Sequence, residues 1–133
     1  MKFGNSDISI GQQVFAMHSL FPQFRYKREH QCPTWIGSLQ PTDKSPQYKI
    51  KITYPYPYSP KVWIVSASID PNAPHRYADA SLCLYYPKDR SWHTKKLIAK
   101  TIIPWTAEWL ALYEIWCLTG QWYGEEVPHT GKK

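Results

Sequence analysis

The chain has 133 residues, of which 43% are hydrophobic and 16% aromatic, including seven Trp and ten Tyr. That supports one domain over residues 1–133 with a substantial core, and a charged content of 20% excludes a disordered chain. Sixteen basic against ten acidic residues give a formal net charge of +6, spread along the sequence rather than clustered, which favours acidic partners without naming one.

In chain order, Ile10, Val14, Met17 and Phe21 recur at helical spacing, so a short amphipathic helix is expected over Ile10 to Leu20, ended by Pro22. Phe24 to Arg28 alternates apolar and basic residues as a strand with one wet face does. Trp35 to Gln40, bounded by Pro33 and Pro41, is a second strand. In Tyr48 to Tyr54 the side chains of Tyr48, Ile50, Ile52 and Tyr54 share one face, with Lys49 and Lys51 opposite. Val62 to Val65 is a fourth, short and apolar. Brief connections between the four imply an antiparallel meander, because parallel pairing needs long crossovers. Between the third and fourth strands, Tyr54-Pro-Tyr-Pro-Tyr-Ser-Pro60 forbids helix and central strand alike, and reads as a rigid connector pinned by its tyrosines.

From Asp70 to Arg90 the chain reads as irregular, broken at Pro71, Pro74 and Pro87. Thr101 is then expected to cap a helix with Pro104 in its first turn. Trp105, Trp109, Leu112, Tyr113 and Trp116 repeat at helical spacing, and Gly120 stops the helix. Core packing of these aromatics against the sheet is expected. The tail from Gln121 to Lys133 is expected to loosen toward its end.

Cys32, Cys83 and Cys117 are too few and too far apart for a disulfide framework or a zinc pair. Free thiols, no metal and no cofactor are expected. No apolar run nears the ~18 residues of a membrane span, and Met1 to Asp7 lacks a signal peptide's apolar middle. A cytoplasmic protein without membrane contact is expected. No glycine-rich or aromatic RNA-binding signature is present, so nucleic acid is not an expected partner.

Cys83 is the residue that draws attention. A thiolate is the strongest ordinary nucleophile near neutral pH, and Cys83 lies in the irregular segment close to His75, Arg76, Asp79 and Lys88. It is expected to be the most readily alkylated thiol. Cys117, beside Trp116 on a packed helix, is expected to be inert, and Cys32 to lack activation. The competing reading is that Leu82-Cys83-Leu84 is a core strand with a structural cysteine.

The order helix, four-stranded meander, cysteine segment, helix resembles the ubiquitin-conjugating enzymes. Tyr54 to Val62 is similar to their proline-rich turn, and Leu82-Cys83-Leu84 to their catalytic Ile/Leu-Cys-Leu. More narrowly, His75, Leu82 to Tyr85, Trp92, Trp105 to Leu110 and Thr119-Gly-Gln-Trp122 resemble stand-alone bacterial conjugating-enzyme-like proteins. These are found in antiphage operons that signal through cyclic oligonucleotides. The resemblance implies an α+β fold of that type and a cysteine-dependent acyl transferase. It implies that Cys83, supported by His75, holds a donor as a thioester and passes it to a target protein's amine. The donor would be the C-terminus of a partner nucleotidyltransferase or a ubiquitin-like protein. Arg76 and Tyr77 follow His75 where the eukaryotic enzymes have Pro and Asn, and the gap to the cysteine is shorter. Asn72, a backbone N–H or His75 itself is a candidate substitute for that Asn; Arg76 is a candidate thiolate partner, and Asp79 a candidate partner for the incoming amine. The alternative is a non-catalytic protein- or nucleic-acid-binding module on the same fold. The chain has no ATP-binding glycine loop, so either a partner supplies an activated carboxyl or the complex achieves acyl transfer in some other way.

Overall fold

The computed structural model describes residues 6–65, 69–84 and 92–124. Helix α1 (Ile10–Leu20) starts at Ser9, whose hydroxyl accepts the Gln12 N–H while the Gln12 side chain accepts the Ser9 N–H, a reciprocal capping box. The sheet follows in sequence order, β1 (Arg25–Glu29), β2 (Cys32–Leu39), β3 (Tyr48–Thr53) and β4 (Lys61–Ile64), every neighbouring pair antiparallel. Helix α2 (Ile98–Thr119) closes the order. This is the expected α+β arrangement. The chain turns from β1 into β2 on His30 and Gln31, both at positive φ (54° and 65°), as a two-residue type I′ turn requires.

One sheet face carries Trp35, Leu39, Tyr48, Ile50, Ile52 and Val62 into a core shared with Ile98, Ile102, Ile103, Trp109 and Leu110 of α2. The Phe24 ring lies against Gly37, where a Cβ would fall 2.5 Å from it, so a residue with a side chain at 37 displaces that ring. The proline-rich connector is pinned as expected. Tyr54 is fully buried, edge-on to Tyr56 and Trp92, and the Tyr56 hydroxyl donates to Asp7 at 2.6 Å.

The start of α2 differs from the sequence expectation. The helix begins at Ile98, not at Thr101, and Pro104 lies inside it. Its N-cap, Leu97, has no capping side chain. The cap comes instead from α1: the buried Gln13 side chain accepts the Ile98 N–H and donates to the Lys96 carbonyl, both at 2.9 Å. Thr101 bonds back to the Leu97 carbonyl and receives the Trp92 indole N–H. At the other end Gly120 is left-handed (φ 77°) and its N–H returns to the Trp116 carbonyl, the expected stop. None of the described helices is long and apolar enough to cross a membrane.

Candidate active site

The cysteine segment is less irregular than its prolines suggest. After a turn over Asp70–Ala73, residues 75–83 fold back on themselves as a small hairpin. The Cys83 N–H donates to the His75 carbonyl and the Tyr77 N–H to the Ser81 carbonyl, both at 2.9 Å, with Arg76 and Leu82 paired between them. His75 (φ 61°) and Ala80 (φ 73°) are left-handed, which lets the hairpin close without glycine. Leu82 and Leu84 enter the core, and the Leu82 N–H donates to the Val62 carbonyl, so the return arm runs beside β4.

Both ends of the hairpin are tied down. At its base the Trp109 indole N–H of α2 gives the His75 carbonyl a second hydrogen bond at 3.1 Å, and Trp122 packs on the His75 ring, centroids 4.9 Å apart. At its tip the Asp79 carboxylate accepts the Ser81 N–H (2.9 Å), the Ser81 hydroxyl (2.6 Å) and the Lys61 ammonium (2.8 Å). The Asp79 carbonyl accepts the Trp63 indole N–H from β4 at 3.0 Å. Hydrogen bonds from Lys61 and Ser81 hold the Asp79 carboxyl far below the ordinary carboxylate range.

Cys83 itself is 4% exposed. Burial pushes its thiol pKa up, partly offset by a hydrogen bond from the Tyr77 side chain. Cys83, expected to be the most readily alkylated thiol, is buried, whereas Cys117 is exposed and Cys32 lies between. Cys117 lies open because α2 outruns the core beyond Tyr113, as the 86% exposure of Leu118 also indicates.

The other sequence candidates fall in distinct places. His75 lies opposite Cys83, its backbone bracing the cysteine strand. Arg76 lies one register step away, its guanidinium reaching back to the Asp70 and Pro71 carbonyls, each at 3.3 Å. Asn72 is exposed in the preceding turn, where its N–H donates to Asp70. Asp79 is held at the hairpin tip by its own and β4 groups. Tyr85, Pro87 and Lys88 lie outside the described residues, as does the tail beyond Gly124. Tyr77, Trp109 and Trp63 were not singled out as site residues by the sequence. For Tyr77 the signal was present, since two residues after His75 and six before Cys83 is the hairpin spacing that brings it beside the thiol. Among the described residues no three His, Cys, Asp or Glu side chains gather to hold a metal ion.

A helix, a four-stranded antiparallel meander, a cysteine hairpin on its last strand and a second helix across the core define a protein of the ubiquitin-conjugating-enzyme-like class. The family model for type II CBASS E2 proteins matches residues 13–130, and the chain belongs to that family. Membership gives it a conjugating-enzyme-like role in antiphage defence. No curated protein matches the chain.

Proposed function

We propose that this protein carries the C-terminal acyl group of a partner protein as a thioester on Cys83 and passes it to an amine. The observation that carries the reading is the placement of Cys83: a thiol in a hairpin anchored to both β4 and α2, with a tyrosine hydroxyl on its sulfur. Such anchoring fixes a nucleophile against its scaffold, which is what repeated acyl loading and discharge require. Burial also keeps water from a thioester once it is formed. The donor we assign is the C-terminus of a partner of the same defence system, a cyclic-oligonucleotide-forming nucleotidyltransferase, delivered in activated form. The acceptor is an amine of a target protein.

His75 acts here chiefly as a brace, through the carbonyl that accepts from both Cys83 and Trp109. Asp79 serves to fasten the hairpin tip rather than to meet an incoming amine, because its carboxylate already holds an ammonium and a serine. The near-complete burial of Cys83 favours one competing reading, a binding module in which the cysteine is structural.

Co-expression with the proteins encoded beside it, followed by non-reducing gels and peptide mapping, separates the two. The acyl-carrier reading expects a thiol-cleavable adduct at Cys83, a stable oxyester in Cys83→Ser and neither in Cys83→Ala. An identical adduct in Cys83→Ala removes Cys83 as the acceptor and leaves the binding module.

A further inference from the structure

The hairpin register puts a side chain against the reactive sulfur that the family motifs do not supply. In a ladder where Cys83 bonds to His75 and Tyr77 to Ser81, residues 75, 77, 81 and 83 occupy one face. Tyr77 is then the diagonal neighbour of Cys83, a separation that an aromatic side chain spans. Its hydroxyl donates to the Cys83 sulfur. Tyr77 is 51% exposed where Cys83 is 4% exposed, so the buried sulfur is bonded to a side chain that reaches the surface.

We propose that Tyr77 is a catalytic residue whose hydroxyl stabilises the Cys83 thiolate, as the attacking nucleophile on loading and as the leaving group on discharge. Its part in turnover rests on the acyl-carrier reading; its action on the thiolate is measurable without it. On loading, a sulfur lone pair attacks the carbonyl carbon of an activated acyl donor, an acyl thioester or acyl phosphate anhydride. The C=O π pair moves to oxygen and returns as the donor's leaving group departs with its bonding pair. On discharge, an amine nitrogen forms the C–N bond, and the C–S bond breaks with its pair on Sγ. The ammonium proton passes to a solvent base. Tyr77 keeps its proton throughout. A hydrogen bond to an anionic acceptor is about twice as strong as one to a neutral acceptor. The hydroxyl therefore favours the thiolate over both thiol and thioester, and its effect falls where negative charge develops on sulfur.

The test uses the full chain carrying Cys32→Ser and Cys117→Ser, so that only Cys83 labels. Iodoacetamide labelling rates are followed by mass spectrometry from about pH 6 to pH 11, a range that extends above an ordinary thiol because burial raises Cys83. Tyr77→Phe keeps the ring and removes the hydroxyl. We expect labelling about tenfold slower at neutral pH, the usual scale of one hydrogen bond to a charged group. The midpoint of the rate profile moves to higher pH, the two profiles converge in alkali, and the melting temperature does not change. Tyr77→Ala shares the displaced midpoint. Wild-type rates and midpoint in Tyr77→Phe overturn the proposal, as does a faster Tyr77→Ala with the wild-type midpoint, which makes the ring a mere cover. Single-turnover loading and discharge should fall by a similar factor in Tyr77→Phe. If the wild type never loads, the acyl-carrier reading fails, and the labelling profile still decides whether Tyr77 acts on the thiolate.

Discussion

Gln13 is the residue through which the two helices register, and Gln13→Ala measures what that registration is worth. The side chain is 1% exposed and makes two 2.9 Å hydrogen bonds, accepting from Ile98 N–H and donating to the Lys96 carbonyl. Ile98 is wholly buried, so its N–H has no access to water once the partner is gone. An orphaned buried donor costs about 1–3 kcal/mol, and the second bond adds about 1 kcal/mol. Removing the side-chain methylene from the interior adds about 0.8 kcal/mol. A loss of about 3–5 kcal/mol is expected. At roughly 2.1 cal/mol/K of unfolding entropy per residue, the 133 residues turn that into a fall in Tm of about 14 °C. Gln13→Glu keeps an acceptor for Ile98 at a helix N-terminus, where a carboxylate is favoured, but loses the donor to Lys96. It also buries a charge against that carbonyl oxygen, so its loss should be at least as large near neutral pH. Thermal and urea unfolding give the totals, and amide exchange at Ile98 gives the local effect. A Gln13→Ala protein that melts within about 2 °C of wild type would falsify the trans-cap account.

Two further outcomes follow from the hairpin and the core. Trp109→Phe removes the indole N–H from the His75 carbonyl and leaves a smaller ring in the core, a loss of about 2–3 kcal/mol. Its distinctive sign is faster exchange at the Cys83 amide than at β3 amides; uniform acceleration would mean that Trp109 acts only through core volume. Stability should also fall in alkali. Burial pushes Tyr54 up to about 12, burial raises Tyr113, and burial followed by the Glu114 hydrogen bond raises Tyr48 still further. Unfolded tyrosines ionise near ~10. Because the folded values lie higher, this stability is fully present below ~10 and is lost as pH rises through them. Tm should hold to about pH 9 and then drop, and Tyr48→Phe should flatten the drop. An unaltered alkaline slope in that variant would remove Tyr48 from the account.

The sheet and first helix were legible because each repeats a short period. Tyr48, Ile50 and Ile52 alternate, Ile10 to Leu20 follows a helical stripe, and both elements occur where the periods run. What the sequence hid depends on partners far along the chain. Thr101 looked like a cap because a local hydroxyl precedes a helical proline, yet the cap lies 85 residues away in Gln13. The hairpin at Cys83 has no Gly or Asn-Gly signal, since His75 and Ala80 adopt positive φ without one. Cys117 is four residues beyond buried Tyr113 on the inward stripe. Periodicity gave no sign that the core ends before it.

These hidden contacts form a chain of support that ends on the sulfur. Gln13 sets the start of α2, α2 places Trp109, Trp109 holds the His75 carbonyl, and that carbonyl holds the Cys83 N–H. Asp79 fixes the opposite end through Lys61 and Trp63. A left-handed residue other than glycine costs about 1–2 kcal/mol. The two in this hairpin persist because both of its ends are fastened. Such anchoring also permits the thiol to be buried, and burial has opposite effects on the two halves of the proposed acyl-transfer cycle. It shields a thioester from water but disfavours the thiolate that must attack first and leave last. A neutral donor on the sulfur is the one kind of group that relieves the second effect without admitting water or a second charge, and the hydroxyl of Tyr77 occupies that position.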